Sequence, residues 1–170
     1  MDINQKLQKV IKDVEILGYE LYPIQENIKL TNGVKTYGCC KRNTRTNICR
    51  ISISKYLRDE DLMNTLYHEV LHAIKGAKGH GKLWQKAAKD VEKHYGYKIT
   101  RCSNRNLYNE DGKKLKTEDL YRYKIVCPHC GHEYKYMRKT NGIKNPQDYS
   151  CGICHHKKLE SYTINGLRIK

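Results

Sequence analysis

Apolar residues recur at helical spacing near the start of the chain, through Ile3, Leu7, Val10, Ile11 and Val14, and the run stops at Gly18. The pattern predicts an amphipathic helix over residues 3–17. The period then shortens. Residues 28–31, the pair Asn32-Gly33 and residues 34–41 read as a β-hairpin, because Asn-Gly accepts the positive backbone angles of a two-residue turn. A third strand is expected over residues 48–54, with Ile51 and Ile53 on one face. Helical spacing returns over residues 59–75. Asp59, Glu60 and Asp61 suit a helix N-terminus, Leu62, Leu66, Val70, Ala73 and Ile74 fall on one side, and Gly76, Gly79 and Gly81 end the pattern. A further amphipathic helix buries Leu83, Trp84, Ala87, Ala88 and Val91 and leaves Lys82, Lys86, Lys89 and Lys93 solvated. The fold class is therefore α+β: helices with a small antiparallel sheet over residues 1–98, a polar, turn-rich connector over 99–119, and a separate small module over 120–170.

His68 and His72 point away from the apolar side of the helix at 59–75, with Glu69 between them in sequence. Two imidazoles four residues apart on one helical face reach a single metal ion, and His80, in Gly79-His80-Gly81, returns a third after a glycine-rich reversal. Three protein ligands leave the fourth tetrahedral position of zinc open to water, whose pKa falls towards about 7, so the pattern is that of a hydrolytic site. Glu69 is the candidate catalytic base, and Trp84 is expected to pack beneath the ligands rather than to touch substrate.

Of the eight cysteines, four form the pairs Cys127-Pro128-His129-Cys130 and Cys151-Gly152-Ile153-Cys154. Two such knuckles joined by a hairpin make a closed, structural zinc site, a pattern of reducing compartments rather than of secreted disulfide proteins. His129, His132, His155 and His156 are read as lying outside this ligand set. Cys39, Cys40 and Cys49 flank the first hairpin and Cys102 lies in the connector; small, partly buried thiols are the default reading for all four. Two zinc ions per chain are expected, one catalytic and one structural. The N-terminus lacks an apolar run and no window is long enough to span a bilayer, so no membrane partner is expected, and the location is read as cytoplasmic, nucleoid-associated if nucleic acid is bound.

The 170 residues hold 33 Lys or Arg against 18 Asp or Glu, a formal charge of +15 shared by both halves of the chain. Cations and aromatics alternate along Tyr121-Arg122-Tyr123-Lys124 and along Tyr134, Lys135 and Tyr136, with Arg138 and Lys139 following. Phosphates pair with such cations and unstacked bases lie on such rings, which makes DNA, single-stranded or with exposed ends, the expected partner. The competing reading has the tyrosines packing the module's core and the lysines keeping it soluble.

HEVLH at residues 68–72, HGKLW at residues 80–84 and the C-terminal four-cysteine ribbon together resemble the SprT-like metalloproteases, which include bacterial SprT and the eukaryotic Spartan proteases. The resemblance covers nearly the whole chain. It implies a zincin-like domain at 1–98 and a zinc ribbon at 120–170, with zinc on His68, His72 and His80, Glu69 as acid/base, and protein substrates, since the eukaryotic members cleave proteins crosslinked to DNA. The expected function is a zinc-dependent endopeptidase acting on DNA-bound proteins or DNA–protein crosslinks. Tyr37, Tyr67 and Tyr95 are candidates to assist zinc in stabilising the oxyanion. The alternative is a nucleic-acid-binding or transcription-associated zinc-ribbon factor with little or no peptidase activity. Retention of Glu69 argues against it, since a structural metal site has no use for a carboxylate beside an open position.

Overall fold

A computed structural model describes residues 2–101 and 106–169. The chain divides into two compact units, Met1–Lys114 and Leu115–Lys170. No helix among the described residues is long and apolar enough to cross a membrane.

In the first unit, helix α1 (Ile3–Ile16) starts at a capping box in which the Asp2 side chain accepts from the backbone N–H groups of Asn4 and Gln5. Strands β1 (Lys29–Thr31), β2 (Gly38–Arg42) and β3 (Cys49–Ser54) follow, then helices α2 (Asp59–Leu71) and α3 (Lys82–Tyr95). The sheet is mixed, in order β1-β3-β2, and this corrects the expected hairpin and the all-antiparallel sheet. β1 runs parallel to β3, β2 runs antiparallel to it, and β1 and β2 do not pair. Asn32-Gly33 makes no two-residue turn; the segment after it crosses the end of β3, where Ser54 N donates to Tyr37 O at 2.7 Å and the Ser54 hydroxyl to Gly33 O at 2.5 Å. β3 carries Cys49, Ile51 and Ile53, all buried, and the most apolar strand takes the centre, where both edges are covered.

α2 is the axis of this unit. α1, α3, β2 and β3 all contact it, and Asn64, Thr65 and Glu69 are buried along with Leu66, Tyr67 and Val70. The one-sided burial expected from periodicity is therefore too simple: α2 is enclosed on nearly every side. It is also shorter than expected. Lys75 N donates to Glu20 O and Tyr22 N to Ala73 O, both at 2.8 Å, so strand-like pairing with residues 20–22 captures the backbone that a longer helix would need. His72 ends the helix as its C-cap, and the last turn tightens to bonds of three residues' span, such as Ala73 N to Val70 O at 2.8 Å. Residues 106–114 fold with this unit, Tyr108 N donating to Tyr56 O at 2.7 Å.

In the second unit, β4 (Tyr123–Val126), β5 (Glu133–Tyr136) and β6 (Glu160–Thr163) form an antiparallel sheet in order β5-β4-β6, with a short helix α4 (Asn141–Lys144) between β5 and β6. Its core is Ile125, Ile143 and Leu159 with Cys127 and Cys151, and Tyr123, Tyr134 and Tyr136 pack against it.

Candidate functional site

His68 lies on α2, His72 at its end and His80 in the reversal that precedes α3, where Gly76 and Gly79 hold φ of +83° and +50°. The reversal brings the rings together. His72 Nε2 stands 3.3 Å and His80 Nε2 3.1 Å from His68 Nε2, and one ring nitrogen of each histidine lies within 4.8 Å of the others. Nitrogens held tetrahedrally at about 2.0–2.1 Å from zinc would be about 3.4 Å apart, so the donor set fits that ion. His68 Nδ1 sits 3.0 Å from Thr100 O; a proton on Nδ1 donates there and leaves the Nε2 lone pair facing the other two rings. Burial depresses the pKa of both His72 and His80, assisted by His80 in the first case and by Arg101 in the second, which favours the neutral, metal-binding form. Beneath the three rings lies Trp84, 1 % exposed, with its centroid 4.9, 5.7 and 4.6 Å from those of His68, His72 and His80.

Glu69 is 6 % exposed, and burial pushes its carboxyl up to about 7, opposed by the backbone N–H of Cys40. Strand β2 presses against it. A Cβ at Gly38 would come within 2.6 Å of Glu69 Oε1, so glycine here leaves the space that the carboxylate occupies. A carboxyl group poised near neutrality is suited to taking and returning a proton.

Gly38, Cys40 N–H and Thr100 O are contributions that the sequence does not announce. Each acts through a backbone atom or a missing side chain, so no residue-type signal marks it. Two of the three tyrosines considered for the oxyanion are committed elsewhere: the Tyr67 hydroxyl donates to Asp13 Oδ2 and the Tyr95 hydroxyl to Asp13 O at 3.1 Å. Tyr37, half-buried beside Gly38, is the one left. Cys40 and Cys49 are neighbours on the inner face of β2 and β3, both free, and burial raises both thiols, so they behave as small apolar fillers. Cys102 lies outside the described residues.

In the second unit Cys127, Cys130, Cys151 and Cys154 converge, with Cys127 Sγ 3.5 Å from Cys154 Sγ and Cys130 Sγ 3.6 Å from Cys151 Sγ. Thiolates at about 2.3 Å from a tetrahedral zinc would be about 3.8 Å apart, so this donor set also fits. The two knuckles match: Cys127 N donates to His132 O at 3.0 Å and Cys151 N to His156 O at 2.8 Å. The histidines near the knuckles are not part of the ligand group. The Tyr134 hydroxyl lies 3.4 Å from Cys151 Sγ and accepts from Gly152 N–H at 2.8 Å. First through Tyr134 and then through the Cys154 N–H, the Cys151 thiol is brought down to about 5, ready to serve as a thiolate.

Of the proposed nucleic-acid residues, Lys135, Arg138 and Lys139 are exposed, whereas Tyr134 and Tyr136 are half-buried against the core. The rings are not excluded from solvent contact: Tyr134, Tyr136 and the 46 % exposed Tyr149 line a surface groove of about 560 Å³ with Thr140 and Asn141.

No curated protein matches the chain. The model of the SprT-like family matches residues 20–103, the span that contains β1 to β3, α2, α3 and all three imidazoles. That match stands beside the three converging histidines and the buried Glu69: over residues 20–103 the chain is similar to the SprT-like family, a family generally associated with zinc metalloproteases.

Proposed function

We propose that this protein is a zinc-dependent endopeptidase whose substrates are proteins carried on DNA, including DNA–protein crosslinks. The observation that carries the reading is the joint placement, on one helix, of two of three converging imidazoles and a buried carboxyl whose pKa is near neutrality. A zinc ion on His68, His72 and His80 would supply Lewis acidity to a scissile carbonyl and to water. Glu69 accepts the proton of the attacking water and returns it to the departing amine. Gly38 and the Cys40 N–H fix that carboxyl, Thr100 O sets the tautomer of His68, and Trp84 walls the ligands off from the core. Cys127, Cys130, Cys151 and Cys154 would hold a second, structural zinc.

The DNA part of the reading is supported by the ribbon's groove: Tyr134, Tyr136 and Tyr149 offer aromatic faces, and Lys135, Arg138 and Lys139 lie exposed on or just after β5. The test compares wild type with Glu69→Gln on a basic DNA-binding protein, with and without single-stranded DNA. Cleavage that depends on DNA and vanishes in the variant supports the reading; DNA binding without cleavage by wild type supports the zinc-ribbon factor instead.

A further inference from the structure

Residues 27–58 carry eight Lys or Arg and no Asp or Glu, although the chain as a whole has more than one acid for every two bases. The fold gathers half of those cations at one end of the β2–β3 hairpin. Lys41 stands directly opposite Arg50 in the antiparallel register, and both are exposed. Like charges so paired across strands destabilise a sheet. Arg42 and Arg45 follow on the same turn, and among the described residues no carboxylate makes an ion pair with any of these four.

Neutral groups hold two of the four, Arg42 and Arg50. The Arg42 guanidinium lies 4.3 Å over the Tyr22 ring, and Arg50 Nε donates to Gln25 Oε1 at 2.8 Å. The turn is fixed by Asn43 Oδ1, which accepts from Arg45 N at 2.9 Å and Thr46 N at 3.2 Å. Beside it runs a groove of about 530 Å³ lined by Lys41, Arg42 and Arg50 together with Pro23, Ile24 and Gln25; Glu26 is the one carboxylate on its rim. Ordered guanidinium forks that keep their charge unneutralised match the oxygens of a phosphate.

We infer that this end of the hairpin is a docking surface for a nucleic-acid backbone, distinct from the aromatic groove of the ribbon. A protein partner is the weaker match, because protein interfaces draw most of their affinity from clustered aromatic and Arg anchors in apolar pockets, whereas here the ring, Tyr22, is already covered by Arg42 and Ile48 is the one exposed large apolar side chain on the groove. Clustered charge without a free aromatic face suits a sugar–phosphate chain read without regard to sequence. β2 links this surface to the candidate active site. Gly38 abuts Glu69 and Arg42 lies four residues further along, about 13 Å at about 3.3 Å per residue. A backbone docked on the hairpin would therefore sit about 13 Å along β2 from the strand end that abuts the carboxyl. That last connection rests on the functional reading above, whereas the docking surface is argued from its own residues.

The test measures binding of the full-length chain to a fluorescein-labelled short duplex over a salt series. Three proteins are compared: wild type, Lys41→Ala/Arg42→Ala/Arg45→Ala, and a control triple Lys12→Ala/Lys89→Ala/Lys93→Ala, which loses the same charge from exposed positions on α1 and α3. The hairpin triple should flatten the slope of log affinity against log salt by about 2.7, at about 0.9 per phosphate contact, and the control triple should leave it near wild type. Arg45→Ala alone, which breaks no side-chain hydrogen bond or ion pair among the described residues, should flatten it by about 0.9. An unchanged slope in the hairpin variants, or equal flattening in the control, overturns the proposal. Competition by polyglutamate as strong as by unlabelled duplex would assign the surface to an acidic protein and overturn it too. Glu69→Gln should bind with the wild-type slope, so failure of the peptidase reading appears in cleavage alone.

Discussion

Replacing Gly38 by alanine tests whether strand β2 positions the candidate base. The added methyl would stand 2.6 Å from Glu69 Oε1, 2.7 Å from Glu69 Cγ and 2.8 Å from Thr65 Cγ2. Non-bonded carbon atoms rest at about 3.5–4.0 Å, so about 1 Å must be found. The backbone at Gly38 does not lie in the left-handed region, so the substitution carries no dihedral penalty and acts by crowding alone. β2 is pinned by its register with β3, Gly38 facing Ile53, which leaves the Glu69 side chain to move. Overpacking of this kind costs about 1–3 kcal/mol, and a displacement of about 1 Å in a catalytic group costs on the order of 10²-fold in rate. Gly38→Ala should therefore lower the melting temperature, keep its zinc, since no imidazole is crowded, and lose about 10²-fold in peptidase turnover. Adding Thr65→Ser removes Cγ2 but keeps the hydroxyl that donates to Asp61 O at 2.7 Å; it should restore part of the stability and little of the activity. Wild-type melting and turnover in Gly38→Ala, measured beside metal content, would refute the idea that β2 holds the carboxyl in place.

Glu69→Gln should keep both zinc ions and the fold while losing nearly all peptidase activity, because an amide cannot accept the water's proton; wild-type turnover on any protein substrate would exclude the base role. His72→Ala should instead release one ion, read by metal analysis, together with activity. Cys127→Ser/Cys130→Ser should lose the other ion and unfold the ribbon, since metal binding and folding are coupled in small modules; unchanged zinc content would exclude the four-cysteine site. Tyr134→Phe keeps the ring but removes the hydroxyl bonded to Gly152 N–H and Cys151 Sγ, so zinc should be lost to a chelator about 10-fold more readily while single-stranded DNA still binds. An equal loss of both would assign the hydroxyl to DNA rather than to the knuckle.

The convergence of the candidate metal ligands was legible because it depends on residue type and short spacing: i and i+4 on a helix for His68 and His72, and paired knuckles for the cysteines. The pairing of β1 with β3 was not, because Asn32-Gly33 is a local signal whereas the parallel pairing is set by which strand most needs both edges covered. α2 carried the same limitation. Its pattern of Leu62, Leu66 and Val70 marks one buried side, but the burial of Asn64, Thr65 and Glu69 is imposed by α1, α3 and the sheet packing around it. Tyr134 joins surroundings that a sequence pattern does not separate: its ring packs on the core and lines a surface groove, while its hydroxyl meets Cys151 Sγ and the Gly152 N–H.

The enclosure of α2 couples evolution of the chemistry to evolution of the fold. In most folds reactive residues sit on loops and drift independently of the core. Here the helix that bears Glu69 and His68 is also the one on which α1, α3 and the sheet close, so a substitution that retunes the site meets the packing at the same time. Glu69 illustrates the tension, since its burial disfavours the ionised form that base chemistry uses, and an apolar residue of similar size would suit that environment better. If the proposed peptidase activity were lost, this position would be expected to drift towards Met or Leu and the fold to gain stability, with the histidines and the ribbon left behind as a marker of descent.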